Sequence, residues 1–212
     1  MGIVDYGMGN LGSVYNACRF LGIPADIIVR AGDLDRCAAV ILPGVGAFGD
    51  CRAHLDDHGF TAPITQWIRA GRPLLGICLG MQLLFESSEE SPGVPGLGIL
   101  PGRVRRFPDT PGLKVPQMGW NRVIQQRRDC PVFRGVPDQA YFYFVHSFFC
   151  DPSDAEAIAG VTEYGHRYAS AVWRGPVVGV QFHPEKSQDV GLAMLRAFAA
   201  WAGVAPKPGG SA

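Results

Sequence analysis

The chain has 212 residues, of which 47% are hydrophobic and 18% are charged, and its 19 lysine and arginine residues balance 19 aspartate and glutamate residues. This length and apolar content predict a well-packed globular domain and exclude a disordered chain. The zero net charge gives no electrostatic reason to expect nucleic acid or an anionic membrane as a partner.

The first half of the chain alternates strand and helix patterns, which predict βαβ units and a mostly parallel sheet flanked by helices. Asn10 is expected to cap the first helix and Gly22 to end it. The turn at residues 7–9 lacks the third glycine of a dinucleotide fingerprint, so we expect no cofactor there. The predicted strands are 3–6, 26–29, 38–42 and 73–77, and the predicted helices are 11–21, 50–70 and 79–86.

The second half predicts additional antiparallel strands beside the main sheet. Residues 91–112 are rich in proline and glycine, which predicts a loop. The whole pattern predicts an α/β fold of the flavodoxin-like type, with residues 1–203 as one domain and 204–212 as a flexible tail. The remaining predicted elements are strands at 104–107, 121–124, 141–149, 157–163, 168–173 and 177–182 and a final amphipathic helix at 189–201.

The six cysteines are scattered and include no C-x-x-C pair. We therefore expect neither a metal site nor a dense disulfide framework. The first residues lead directly into a strand, without a charged leader or a long apolar run. We therefore expect no signal peptide, no membrane span and a cytoplasmic location.

Cys78 lies between two glycines in the segment Gly76-Ile77-Cys78-Leu79-Gly80, where an apolar strand is followed by a helix. A nucleophile at such an elbow needs small flanking residues, because it occupies a strained strand-to-helix turn. The positive end of the following helix would favour the reactive thiolate. The alternative is a cysteine that packs in the core as a small apolar residue.

His183 lies at the end of the predicted strand 177–182 and is followed by Pro184 and Glu185. In open α/β sheets, ligands bind at this carboxyl edge. A histidine that accepts a thiol proton is best held by a carboxylate on its second ring nitrogen, and Glu185 supplies one. The alternative is a surface loop that contains an incidental histidine.

The segment Pro43-Gly44-Val45-Gly46 follows the third predicted strand. Its glycines permit a backbone conformation that turns N–H groups into a cleft, which is one way to build an oxyanion hole. An ordinary tight turn is the alternative.

Together, these three segments resemble the class I glutamine amidotransferases. Longer segments narrow the resemblance to one family, the glutaminase subunits of imidazole glycerol phosphate synthase, which serve histidine biosynthesis. They keep the order of that family, and the similarity runs from residue 3 to about residue 201. The segments are 5–10, 43–49, 76–86, 118–121 and 183–187.

The resemblance implies a thioester mechanism without a cofactor. Cys78 would attack the side-chain carboxamide of glutamine, His183 would take up the thiol proton and pass it to the departing ammonia, and Glu185 would orient the imidazole. Backbone N–H groups of Leu79 and of the Val45–Gly46 turn would hold the oxyanion. Water would then release glutamate from the γ-glutamyl thioester.

The resemblance also assigns residues to the substrate and to a partner. It places Gly46, Gln82, Glu90, Ser147 and Phe148 against glutamine, and Asn10, Gln117, Trp120, Tyr143 and Lys186 at the partner interface or gate. Without it, Gln82 and Glu90 would belong to a solvated helix face and Ser147 would be a strand-edge hydroxyl. Two positions depart from the family, because tyrosine is frequent at Phe148 and histidine at Gln117.

The implied partner is a (β/α)8-barrel cyclase in a heterodimer, which receives the ammonia and makes imidazole glycerol phosphate and AICAR. A misaligned Val45 peptide would explain weak activity before the partner binds its nucleotide. Three other functions remain open: a glutaminase for anthranilate, guanylate or pyridoxal phosphate synthesis, a cysteine peptidase, and an inactive binding protein with an oxidisable cysteine.

Overall fold

The computed structural model describes residues 1–206. Five parallel strands form one half of the main sheet, in the spatial order β2-β1-β3-β4-β13. Their side chains are mostly buried on both faces, as expected for parallel strands covered by helices. These strands are β1 (Gly2–Val4), β2 (Asp26–Ile28), β3 (Val40–Gly44), β4 (Leu74–Cys78) and β13 (Val177–Val180).

The other half of the main sheet is largely antiparallel and continues from β13, which confirms the predicted α/β fold with antiparallel strands in the second half. Within residues 1–206, β5 is the one strand of this half that runs parallel to its neighbour, β6. These strands are β5 (Ser87–Ser88), β6 (Gly102–Arg106), β8 (Ile124–Gln125), β10 (Phe148–Pro152), β11 (Ile158–Tyr164) and β12 (His166–Arg174).

A separate two-stranded antiparallel sheet consists of β7 (Gln117–Arg122) and β9 (Tyr141–His146). The prediction of one strand over 141–149 is therefore wrong. The chain leaves β9 at Ser147 and enters β10 in the main sheet, so Ser147 lies where the chain passes from one sheet to the other.

The helices cover both faces of the main sheet and are α1 (Leu11–Phe20), α2 (Phe48–Asp57), α3 (Thr61–Arg69), α4 (Leu79–Gln82) and α5 (Gln188–Trp201). Short 3₁₀ turns occur at Ala31–Arg36, Pro131–Phe133, Ala155–Ala157 and Pro184–Lys186. Successive residues of β3 belong to opposite layers of the core, since Ile41 packs in one cluster and Val40 and Leu42 in the other.

Two predicted helices differ from the observed ones. The single helix predicted at 50–70 is two helices, because Gly59 adopts a left-handed conformation with φ of +68° between them. The helix predicted at 79–86 ends at Gln82 after about one turn. In addition, Asn10 makes no side-chain capping bond to α1.

The packed structure extends to Val204, which is buried and donates its N–H to Ala199 O. Of the tail predicted at 204–212, residues 207–212 lie outside the described residues. No helix within residues 1–206 is long and apolar enough to cross a membrane.

Candidate active site

The carboxyl ends of three neighbouring parallel strands bring the predicted segments together. Gly44 at the end of β3 pairs with Cys78 at the end of β4, and β4 pairs with β13, which His183 follows by three residues. This edge is where open α/β sheets bind their ligands.

Cys78 occupies a strained backbone conformation, with φ of +55° and ψ of −111°, between β4 and α4. A Cβ on Gly76 would lie 2.7 Å from Gly80 O, and a Cβ on Gly80 would overlap Leu42 O. Side chains are therefore excluded on both sides of the elbow on steric grounds. The tight turn brings the sulfur to the cavity at the end of the sheet while Cys78 remains buried.

His183 and Glu185 form a buried pair, with 2.8 Å between Nδ1 and Oε1. The Asn10 amide donates to the same carboxylate oxygen at 3.4 Å, so Asn10 contacts the triad glutamate. Because Nδ1 is engaged with Glu185, Nε2 is the nitrogen left for the thiol. His183 Nε2 makes no hydrogen bond within residues 1–206.

The pKa of His183 is raised to about 10. Burial acts in the opposite direction and disfavours the imidazolium, but the neighbouring Cys78 sulfur and the Glu185 carboxylate outweigh it. A strongly basic imidazole next to the sulfur is suited to take up a thiol proton.

Ser187 fixes the loop that carries this pair. Its hydroxyl donates to His183 O at 2.6 Å and accepts the Tyr143 N–H at 3.0 Å. The His183 N–H donates to Tyr143 O at 2.9 Å. Two hydrogen bonds thus hold the loop against Tyr143 of β9, and a third lies within the loop. Sequence reasoning gave Ser187 no such role.

Two side chains hold the backbone at the end of β3 and in the turn that follows it. Tyr6 donates its hydroxyl proton to Pro43 O at 2.8 Å, and the Cys51 thiol donates to Val45 O at 3.2 Å. Gly46 has φ of +99°, a conformation that favours glycine. The turn that carries the predicted oxyanion donors therefore has a defined backbone.

The N-terminus of α2 is capped by residues from a distant loop. Glu90 Oε2 accepts the Phe48 N–H at 2.8 Å, and Ser91 Oγ accepts the Gly49 N–H at 2.9 Å. Burial raises the pKa of Glu90, and the bond from Phe48 opposes that rise. Glu90, which lines the cavity, thereby holds the first residue of α2.

A cavity of about 320 Å³ lies above Cys78. It brings together all of the predicted oxyanion and glutamine-binding residues and also Lys186, which we expected at the partner interface. Sequence reasoning missed three of its lining residues, which are Pro116, Val145 and His146.

Two glutamines in this region are buried. Gln117, which the resemblance assigned to the partner interface or gate, contacts the Tyr168 hydroxyl at 2.8 Å with its side chain. Gln181 was missed, although it is completely buried and contacts Cys78. A polar residue inside the apolar run 177–182 is the signal that would have identified it.

The small sheet carries an exposed apolar face near the cavity. Met118, Trp120 and Tyr141 are 66%, 46% and 54% exposed. The Trp120 ring packs edge-on against Tyr143 at 6.1 Å, and Lys186 Nζ lies 5.9 Å from the centre of the Tyr143 ring. Three of the predicted interface residues therefore lie together beside the site.

An elbow cysteine next to a buried histidine–glutamate pair, at the carboxyl edge of a parallel sheet, defines a triad-type amidotransferase. The family model for glutamine amidotransferase class-I matches residues 3–200, and the chain belongs to this family. Within it, the chain belongs to the family of imidazole glycerol phosphate synthase subunit HisH, to whose members it is highly similar.

Several relatives carry that name. The protein of Moorella thermoacetica is 50% identical over 196 residues, covering 92% of each chain. That of Desulfitobacterium hafniense is 48% identical over 201 residues, covering 95% of this chain and 94% of the relative. That of Chlorobaculum tepidum is 47% identical over 198 residues, covering 93% and 98%.

Solved structures share the fold at lower identity. A glutamine amidotransferase crystal structure superposes with a TM-score of 0.75 at 21% identity, covering 96% of this chain and 99% of the other. A chain of PurLQS from Thermotoga maritima gives a TM-score of 0.75 at 19% identity, covering 94% and 97%. At these identities the likeness concerns the fold alone.

Proposed function

We propose that this chain is the glutaminase subunit of an imidazole glycerol phosphate synthase and hydrolyses glutamine to glutamate and ammonia in histidine biosynthesis. The observation that carries the proposal is the buried 2.8 Å contact between His183 and Glu185, beside a strained elbow cysteine. The names of the relatives, which cover at least 92% of this chain at 47–50% identity, support the pathway. Residues 1–203 form the single catalytic domain of this proposal.

The reaction proceeds through a covalent intermediate. The sulfur of Cys78 attacks the side-chain carbonyl carbon of glutamine, and the thiol proton moves to His183 Nε2. The tetrahedral intermediate collapses, its C–N bond breaks, and His183 gives the proton to the departing ammonia. Water then attacks the thioester while His183 accepts a proton from it, and glutamate leaves as the thiol is restored.

Backbone donors stabilise the charge that develops on the substrate oxygen. The Leu79 N–H at the start of α4 and the N–H groups of the Val45–Gly46 turn are the donors in this proposal. Losing one such donor typically lowers kcat by about 10²–10³. If the Val45 N–H points toward the substrate oxygen only in the stimulated complex, the isolated subunit hydrolyses glutamine slowly.

The cavity accommodates the rest of the substrate. Gly46, Gln82, Ser147 and Phe148 line it together with Cys78. Glu90 uses one carboxylate oxygen on the Phe48 N–H, and in this proposal its second oxygen pairs with the ammonium group of glutamine. With Phe148 in place of tyrosine, only its backbone contributes polar contacts.

A cyclase subunit receives the ammonia. In neutral water ammonia is mostly protonated and is no longer a nucleophile, so direct transfer prevents its loss. The exposed face around Trp120, with Tyr143 and Lys186, supports docking of a (β/α)8 barrel in a heterodimer, since exposed apolar patches mark interaction sites. The proposed location is the cytoplasm.

A diazoketone analogue of glutamine tests the chemistry independently of the partner. We expect it to alkylate Cys78 and to be blocked by excess glutamine, with the modified peptide identified by mass spectrometry. His183→Asn is expected to slow the labelling strongly. Labelling at other cysteines with Cys78 unmodified would contradict the proposed function.

A further inference from the structure

Gln181 is a completely buried amide in direct contact with the nucleophile. Its Nε2 lies 3.7 Å from Cys78 Sγ, within the range of a hydrogen bond to sulfur. The residue follows β13 and precedes the histidine loop, so it approaches the sulfur from a strand neighbouring that of Cys78. Buried amides are costly unless they are hydrogen-bonded, so this placement requires partners.

Gln82 determines which way the Gln181 amide faces. Gln82 Nε2 lies 3.1 Å from Phe148 O and 3.0 Å from Gln181 Oε1. The Phe148 backbone carbonyl can only accept, so Gln82 must present its NH₂ group there. The Gln82 NH₂ group also donates to Gln181, so the Gln181 atom nearest to it must be the amide oxygen. The NH₂ group of Gln181 therefore faces the Cys78 sulfur.

The Phe148 carbonyl is itself fixed by a second donor. His146 Nδ1 lies 2.8 Å from it, and His146 is buried against Tyr168, whose hydroxyl lies 3.2 Å from Nε2. Burial lowers the pKa of His146 to about 4, so the ring is neutral and its Nδ1–H donates to the carbonyl. A continuous series of buried hydrogen bonds therefore runs from His146 through Phe148 O and Gln82 to Gln181 and fixes the direction of the Gln181 amide.

We propose that Gln181 is a positioning residue that donates a hydrogen bond to Cys78, stabilises its thiolate and directs the sulfur toward the substrate, with Gln82 keeping the donor aimed. This inference rests on the proposed function and adds a role for two glutamines in it. An N–H donor interacts more strongly with a thiolate than with a thiol, because the acceptor becomes charged. Gln82 uses both of its hydrogens on protein, so only its oxygen remains for the substrate.

The test is the pH dependence of Cys78 alkylation by iodoacetamide, followed on the Cys78 peptide by mass spectrometry. We expect Gln181→Leu to move the titration of the alkylation rate to higher pH and to lower the rate at pH 7 by about tenfold. Gln181→Glu keeps an acceptor for Gln82 but places a carboxylate against the sulfur, and we expect a larger shift in the same direction. Cys78→Ala gives the background from the other cysteines.

Trp67→Phe is the matched control for lost core stability. Trp67 is also buried, and the substitution also removes a side-chain hydrogen bond, to Pro73 O, but Trp67 does not touch Cys78. We expect it to lower thermal stability and leave the alkylation profile unchanged. An unchanged profile in both Gln181 variants would overturn this inference. If wild-type Cys78 failed to react with the glutamine analogue as well, the proposed function would fall with it.

Discussion

The Cys51 thiol donates to Val45 O at 3.2 Å and so fixes the peptide between Val45 and Gly46. In a trans peptide the N–H points away from the carbonyl oxygen, so the Gly46 N–H faces away from Cys51. Cys51 itself lies outside the cavity, whereas Val45 and Gly46 line it. A buried thiol thus defines the direction of an oxyanion donor.

Cys51→Ala should release this peptide and lower kcat by about tenfold with little change in KM, because the oxyanion forms only in the transition state. Cys51→Ser should retain most of the activity, since a hydroxyl also donates. Steady-state glutamate release in the stimulated complex measures both. Cys130→Ala, another buried cysteine, is the control for packing. A rise in KM with unchanged kcat would show that the loop serves binding instead.

Glu185→Gln tests the orientation of the imidazole. The amide keeps the shape of the side chain but removes the carboxylate, which is one cause of the raised pKa of His183. We expect kcat to fall by about 10³–10⁴ and the pKa of His183 to drop from about 10, measured by NMR titration of the ring. Glu163→Gln, at an exposed position, should change neither quantity. An unaltered pKa in Glu185→Gln would contradict the assigned pair.

His146 and His183 predict opposite effects of pH on stability. Burial lowers the pKa of His146 to about 4 from 6.5, so its neutral form fits the fold and stability declines as pH falls from about 6.5 toward 4. The raised pKa of His183 contributes stability that is complete below about 6.5 and is lost as pH rises toward 10.

His146→Asn separates these effects, because Asn retains a donor for Phe148 O and does not titrate. Urea unfolding of the wild type should lose on the order of 3 kcal/mol from this histidine between pH 6.5 and 4. The variant should lack that part of the slope and keep the decline at high pH. Parallel curves for the two proteins in the acid range would contradict a neutral buried His146.

Trp120→Ala should weaken binding of the cyclase without changing the stability of the isolated chain. Trp120 is 46% exposed on the face beside the cavity, and exposed tryptophans commonly dominate the energy of an interface. We expect at least about a tenfold higher Kd by calorimetry. Phe20→Ala removes an aromatic ring that is 63% exposed at the end of α1 and should have no effect. An equal loss of cyclase affinity in Trp120→Ala and Phe20→Ala would contradict an interface at the Trp120 face.

Local patterns predicted the parts of the site that lie at strand ends. The Cys78 elbow, the Pro43–Gly44 turn and the His183 loop each follow a short apolar run, and parallel strands bring such ends to one edge. The order of strand and helix patterns likewise predicted the α/β fold. These features depend on the periodicity of apolar residues and on the positions of glycines, and both can be recognised within a few consecutive residues.

The parts that were missed depend on contacts between distant residues. Gln181 and Cys78 are 103 positions apart, and Glu90 and Phe48 are 42 apart, so no local pattern reports either pair. The end of β9 at Ser147 could not be predicted from the sequence either. The apolar run continues from β9 into β10, and only the tertiary fold assigns the two strands to different sheets. Gln181 alone gave a signal, as a polar residue within an apolar run.

The central claim is that Cys78 releases ammonia for a cyclase partner. It is tested most directly by glutamate release from glutamine, measured for the purified chain alone and with the barrel cyclase and its nucleotide ligand. We predict activation of at least about 10²–10³ if an oxyanion donor becomes aligned, and its complete loss in Cys78→Ala. High activity of the chain alone, unchanged by the cyclase, would contradict the account.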